Sequence, residues 1–183
     1  MGRKSLAAER REDILNAFEH CIIERGIEGT SFQHIAQALG MDRKMISHYF
    51  GNREALVDAM TQRIVDGFNS RISEVQRNVE SPDVKELVEA FYGQDDASRR
   101  TEILWIEITA YATRSEVVRE RLRESYDNMF SSVDQALRCE YPNIPKSQLQ
   151  MAVYTVVSLL DRAPTYEWIG VQGSPIQSAK AAI

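Results

Sequence analysis

The side chains in this sequence best suited to shared surface chemistry are positive ones. Arg43, Lys44 and Arg53 fall within eleven residues of one another, with His48 and Tyr49 between them, and Arg3 and Lys4 stand near the start of the chain. Guanidinium and ammonium groups gathered in this way suit phosphate oxygens. Enzymatic constellations are missing: there is no Gly-rich phosphate loop, no nucleophile elbow, no zinc-binding His-Glu motif and no paired cysteines. His20 and His34 lack the spacing of a metal site and read as surface or core-edge residues. The sequence therefore assigns no catalytic residue and no metal ligand, and it calls for no cofactor.

Length and charge narrow the field further. At 183 residues the chain can bury a core as one generous domain or as a small head on a larger body. The longest apolar stretch, Val153 to Leu160, is broken by Thr155 and Ser158 and falls far short of the roughly 20 residues that span a bilayer. No membrane partner is expected. The start, Met1-Gly2-Arg3-Lys4-Ser5-Leu6, lacks the apolar core of a secretory signal, so a cytoplasmic location is expected. Cys21 and Cys139 fall inside helical patterns and read as small core residues. A net charge of −5 argues against nonspecific coating of nucleic acid, yet residues 1–56 hold eight basic and eight acidic side chains, so the rest of the chain carries the whole excess.

Helices must position these groups. Ile14, Phe18 and Ile22 repeat every four residues in a helix read from about Glu9 to Arg25, with Gly26 as its stop. Thr30 and Gln33 have capping-box spacing for a second helix that ends at Gly40, and Asp42 can cap a third. Two short helices joined by a Gly-containing turn make a helix-turn-helix. Asn52 caps a long helix from Arg53 to roughly Asn78. Ser81-Pro82 signals a restart carrying Val84, Leu87, Val88 and Phe91, and residues 95–98 read as a loop. Further helices follow over 99–112, from Ser115 through Leu137, and over 146–163. The last of these is apolar nearly all round and should be buried on more than one side, most simply by a partner subunit. Ser174-Pro175 opens a short final helix. No run alternates with period two, so the fold class is all-α with no sheet.

The pattern Arg11…Ile14-Leu15-Asn16-Ala17-Phe18…Gly26…Thr30-Ser31…Ile35-Ala36…Leu39-Gly40-Met41…Tyr49-Phe50…Asn52-Arg53-Glu54-Ala55-Leu56 resembles the TetR-family DNA-binding domain. The resemblance implies a helix-turn-helix head over residues 1–56 and a ligand-binding and dimerisation body over 57–183. It further implies a recognition helix from Arg43 to Phe50 lying in the major groove of double-stranded DNA. On that footing Arg43, Lys44, His48 and Gln33 are candidates for base contacts. Thr30, Ser31, Tyr49 and Arg53, with Arg3 and Lys4 of the arm, are candidates for phosphate contacts. Ser47 stands where similar proteins often carry an aromatic residue.

For the body, the resemblance implies an inducer pocket and dimerisation through the last two helices. Trp105, Tyr111, Tyr126, Phe130, Tyr154 and Trp168 suggest a roomy aromatic pocket for a small, mainly apolar effector. Met151, Val153, Val157, Leu160 and Ile176 are the expected homodimer interface. The implied activity is that of a transcriptional regulator, by family tendency a repressor, that leaves a pseudo-palindromic operator when the effector binds. The competing reading is a ligand-independent DNA-binding accessory or architectural protein, which predicts no small-molecule response.

Overall fold

A computed structural model of the chain describes residues 2–78, 84, 85, 87 and 96–171. Among them are seven helices and no strand: α1 (Gly2–Gly29), α2 (Phe32–Leu39), α3 (Arg43–Phe50), α4 (Arg53–Asn78), α5 (Asp96–Ala112), α6 (Glu116–Glu140) and α7 (Lys146–Trp168). The fold is all-α, a helix-turn-helix head with a helical body.

Most helix ends follow from local capping. The Asp42 carboxylate accepts from the Lys44 amide at 2.7 Å, Asn52 Oδ1 from the Ala55 amide at 2.8 Å, and Ser115 Oγ from the Val118 amide at 3.4 Å. Gly40, at φ 61°, closes α2 in the left-handed conformation, donating to Ala36 and Gln37.

The ends differ from the sequence reading in four places. Helix α1 starts at Gly2, before the periodic apolar residues begin, because Arg3 to Ala8 are all tolerated by a helix. The cap of α2 is Ser31, with His34 as its reciprocal partner. Thr30 is turned inward, 3% exposed, with its hydroxyl donating to the Gly26 carbonyl at 2.8 Å. Helix α5 includes Asp96, Ala97 and Ser98. Helix α7 continues through Pro164 to Trp168. The expected restart at Ser81-Pro82 lies mostly outside the described residues, although Val84, Lys85 and Leu87 are helical and Leu87 is buried. The helix opening at Ser174-Pro175 lies wholly outside them.

The chain divides into two compact units, one of Met1–Asp66 with Arg99–Leu122 and one of Gly67–Ser98 with Arg123–Ile183. In the first, Ile14, Phe18, Ile22, Ile35, Ile46, Leu56, Met60 and Ile108 are almost fully buried. Charged pairs frame them: Arg63 of α4 meets Glu12 and Glu19 of α1, and Arg121 of α6 meets Asp58 and Gln62 of α4. In the second, Ile72, Leu87, Met129, Val133, Ala136, Leu137, Leu149, Val153, Val157 and Leu160 form one core. Cys21 is buried as expected, and burial pushes its thiol pKa up, helped by Glu24 and opposed by Arg25. Cys139 is exposed instead; it sits in the last turn of α6, off the stripe of Val133, Ala136 and Leu137.

Candidate nucleic-acid interface

Helix α3 is built as a presented surface. Ile46 and Phe50 face inward, while Arg43, Lys44, Met45, Ser47 and His48 are exposed and Tyr49 is half-buried. Its first turn is fixed by Asp42. Its last turn is fixed from α1, where Arg11 donates to the Tyr49 carbonyl and lies over the Phe50 ring, 4.2 Å from the centroid. A cation at that end also complements the helix dipole. The Tyr49 and His48 rings meet edge to face at 5.3 Å and 74°, so the two are presented together. Gln33 is exposed on α2 and plays no part in its cap. Thus Arg43, Lys44, His48 and Gln33 are all accessible, and Ser31 stands at the exposed N-terminus of α2.

Two expected phosphate contacts are otherwise engaged. Thr30 is buried, as described. Arg53 donates to the Ile27 carbonyl, pairs with Glu28 at 3.6 Å and sits 5.9 Å from the Tyr111 ring. The side chains of Arg3 and Lys4 lie outside the described residues. Met45 and Arg11 had no role assigned from sequence: an exposed methionine in α3 can meet a thymine methyl, and nothing local marks it, while Arg11 acts over 38 positions of sequence.

The expected pocket residues divide between the units. Trp105 and Tyr111 belong to the first, and Tyr111 lies beneath Arg53. Tyr126, Phe130 and Tyr154 belong to the second. Tyr126 donates to the Asp161 carboxylate at 2.6 Å, and Phe130 packs on Tyr154 at 6.2 Å. The Trp168 side chain lies outside the described residues. A separate cleft of about 310 Å³, lined by Asn69, Ile72, Ser73, Asn128, Ser131 and Ser132, contains none of the expected residues. Its polar lining forms no sequence motif.

The expected dimer contacts fall on two sides of α7. Val153, Val157 and Leu160 pack into the chain's own core, Val157 being 2% exposed, which leaves little of their surface for a partner subunit. The apolar character of α7 has two sides. Leu149, Val153, Val157 and Leu160 face inward, and Met151 (68% exposed) and Tyr154 (64%) lead an outer face that continues through Leu159 and Tyr166. Ile176 lies outside the described residues. No described helix is long and apolar enough to cross a membrane, and no described group of three acidic, histidine or cysteine side chains could hold a metal ion.

These features define a helix-turn-helix DNA-binding protein with an all-helical body. Residues 14–60 match the family of bacterial regulatory proteins called the tetR family. The HTH-type transcriptional regulator PksA of Bacillus subtilis is 27% identical over 128 residues, 68% of this chain but only 60% of that regulator. BetI of Escherichia coli is 21% identical over 99% of this chain and 92% of its own. A transcriptional regulator from Saccharomonospora viridis, solved in complex with choline, shares the fold with a TM-score of 0.78 at 19% identity, covering 91% of this chain and 89% of that one. E. coli NemR in its reduced form does so at 0.73 and 21%, covering 95% and 94%. Residues 14–60 thus form a TetR-family DNA-binding head, and the relatives the chain matches are named as regulators rather than enzymes.

Proposed function

We propose that this chain is a ligand-responsive repressor. It binds a pseudo-palindromic operator as a homodimer and is released when a small molecule occupies its body. Residues 1–56 read DNA, and residues 57–183 hold the effector and the partner subunit; the protein acts in the cytoplasm. The observation that carries this reading is α3, capped by Asp42, pinned by Arg11 and offering Arg43, Lys44, Met45 and His48 to the groove. One such helix covers too few base pairs for specificity alone, which argues for two copies about a helical turn apart. The outer face of α7 suits the contact between them.

Effector binding is supported by α5. The Thr109 hydroxyl is buried without a partner, one turn from Trp105 on the same helix. A buried hydroxyl left unsatisfied is costly and is readily explained by a ligand that meets it. The choline bound by the S. viridis regulator makes organic cations sensible first candidates alongside aromatic compounds, since such cations bind the faces of Trp and Tyr.

The test is selection of duplexes from a random pool, followed by titration of compounds that raise the protein's melting temperature. A two-fold symmetric site and a compound that weakens the complex by a coupling of about 1–3 kcal/mol are expected. A symmetric site with no responding compound would leave the accessory DNA-binding role instead.

A further inference from the structure

The kink near the end of α1 is held in an unusual way. At Gly26 the backbone turns at φ 73° and ψ 165°, a region that side chains avoid. A Cβ there would also lie 3.1 Å from one carboxylate oxygen of Glu107 and 3.4 Å from the other. That carboxylate, reaching from α5, accepts the Ile27 amide at 2.8 Å. The Ile27 carbonyl accepts from Arg53 at the start of α4. One residue of backbone is therefore gripped at both ends by opposite charges from two helices.

The grip is one end of a stripe along α5. Arg100, Leu104, Glu107 and Tyr111 follow helical spacing on one face, and Arg114 stands in the turn just past the helix end. Arg100 reaches Glu19 and His20 of α1, Leu104 is buried, and Arg114 pairs with Glu28 at 2.9 Å. Beyond Ile27 the chain leads directly into the helix-turn-helix: the Thr30 amide donates to the Ile27 carbonyl at 3.2 Å, and Ser31 caps α2. A displacement of Glu107 thus acts on the peptide that sets where α2 begins.

We infer that Glu107 is a positioning residue for DNA binding, fixing the helix-turn-helix through the Ile27 amide and making α5 the element that bears on the head. This rests on DNA binding by the head and not on any response to an effector. By linkage, if the grip favours the DNA-binding arrangement, bound DNA must tighten the grip by the same factor. In the full-length wild-type protein, hydrogen exchange at the Ile27 amide should slow by about fivefold or more when the duplex selected from a random pool is added. Glu107→Met keeps the apolar stem but no acceptor. Its Ile27 amide should exchange on the order of tenfold faster, and its affinity for the same duplex should fall by about fivefold or more at unchanged helix content. Glu107→Gln, which keeps an acceptor oxygen, should bind within about twofold of wild type. Exchange in the wild-type protein that ignores the duplex overturns the inference, and that measurement decides should Glu107→Met fail to fold. A folded Glu107→Met that binds like wild type overturns it as well. A wild-type protein that enriches no duplex fails at the first step, removing the DNA-binding reading and this inference together.

Discussion

The guanidinium of Arg11 lies 4.2 Å from the centre of the Phe50 ring while donating to the carbonyl of the neighbouring residue, Tyr49. A side chain from the first helix thereby closes the C-terminal end of the third. Phe50 is buried, so the contact ties the presented face of α3 to the core beneath it. The orientation of Arg43, Lys44 and His48 depends on a residue that need not touch DNA itself.

Arg11→Ala should lower stability by about 1 kcal/mol, the scale of an exposed cation–π contact with a charge-assisted hydrogen bond. For a chain of this size that is a fall of roughly 2–4 °C in melting temperature. Binding should weaken similarly for all sequences. A change in base preference, measured by repeating the duplex selection with the variant, would place Arg11 in the groove instead.

Arg43 should behave in the opposite way. Its exposed guanidinium at the start of α3 can make a forked contact to guanine, so Arg43→Ala should cost about 1–3 kcal/mol at one base position and relax preference there. Equal losses on operator and random DNA would reassign Arg43 to the phosphates.

The cap of α2 gives a sharper local test. Ser31→Ala should cost about 1 kcal/mol, because the His34 amide loses its acceptor, and calorimetric melting measures this directly. The Gln33→Ala variant should melt like wild type. Reversed results would restore the cap to Thr30 and Gln33.

The cap of α2 shows where sequence reading succeeds and where it stops. Asp42, Asn52 and Ser115 were legible because a cap reaches only two or three residues along the chain. Thr30 and Ser31 are adjacent hydroxyl residues, and only the inward turn of Thr30 towards Gly26 decides between them. Arg53 carried the type and position of a phosphate contact, yet its partners Ile27, Glu28 and Tyr111 are fixed by tertiary packing. Glu107 meets Ile27 across 80 positions of sequence with no periodicity to announce it. For α7, apolar residues all round implied burial on two sides, but the pattern alone could not say which side belonged to the chain's own core.

The cysteines give a prediction in pH. The Cys21 thiol is held above its ordinary pKa by burial, so the folded state favours the neutral form. Stability from this effect is present below the unfolded thiol's pKa of about 8.5 and is lost as pH rises through the folded value. The difference in urea midpoint between wild type and Cys21→Ala should therefore narrow above about pH 8.5. In native protein iodoacetamide should label Cys139, which is exposed, and spare Cys21. Equal labelling of both would contradict the burial of Cys21.

The two faces of α7 predict two kinds of failure. Val157 lies in the core of its own unit, where a lysine would bury a charge without a partner, a change costing several kcal/mol. Val157→Lys should therefore lose helical circular dichroism and not merely dissociate. Met151 and Tyr154 are exposed on the opposite side, so Met151→Lys with Tyr154→Lys should leave the helix content and the core intact. If the outer face of α7 joins two subunits, this double variant should sediment at half the wild-type mass. It should also lose affinity for the full symmetric operator while binding an isolated half-site as wild-type subunits do. A double variant that still sediments as a dimer would move the interface off this face, and a Val157→Lys protein that folds as a stable monomer would return Val157 to it.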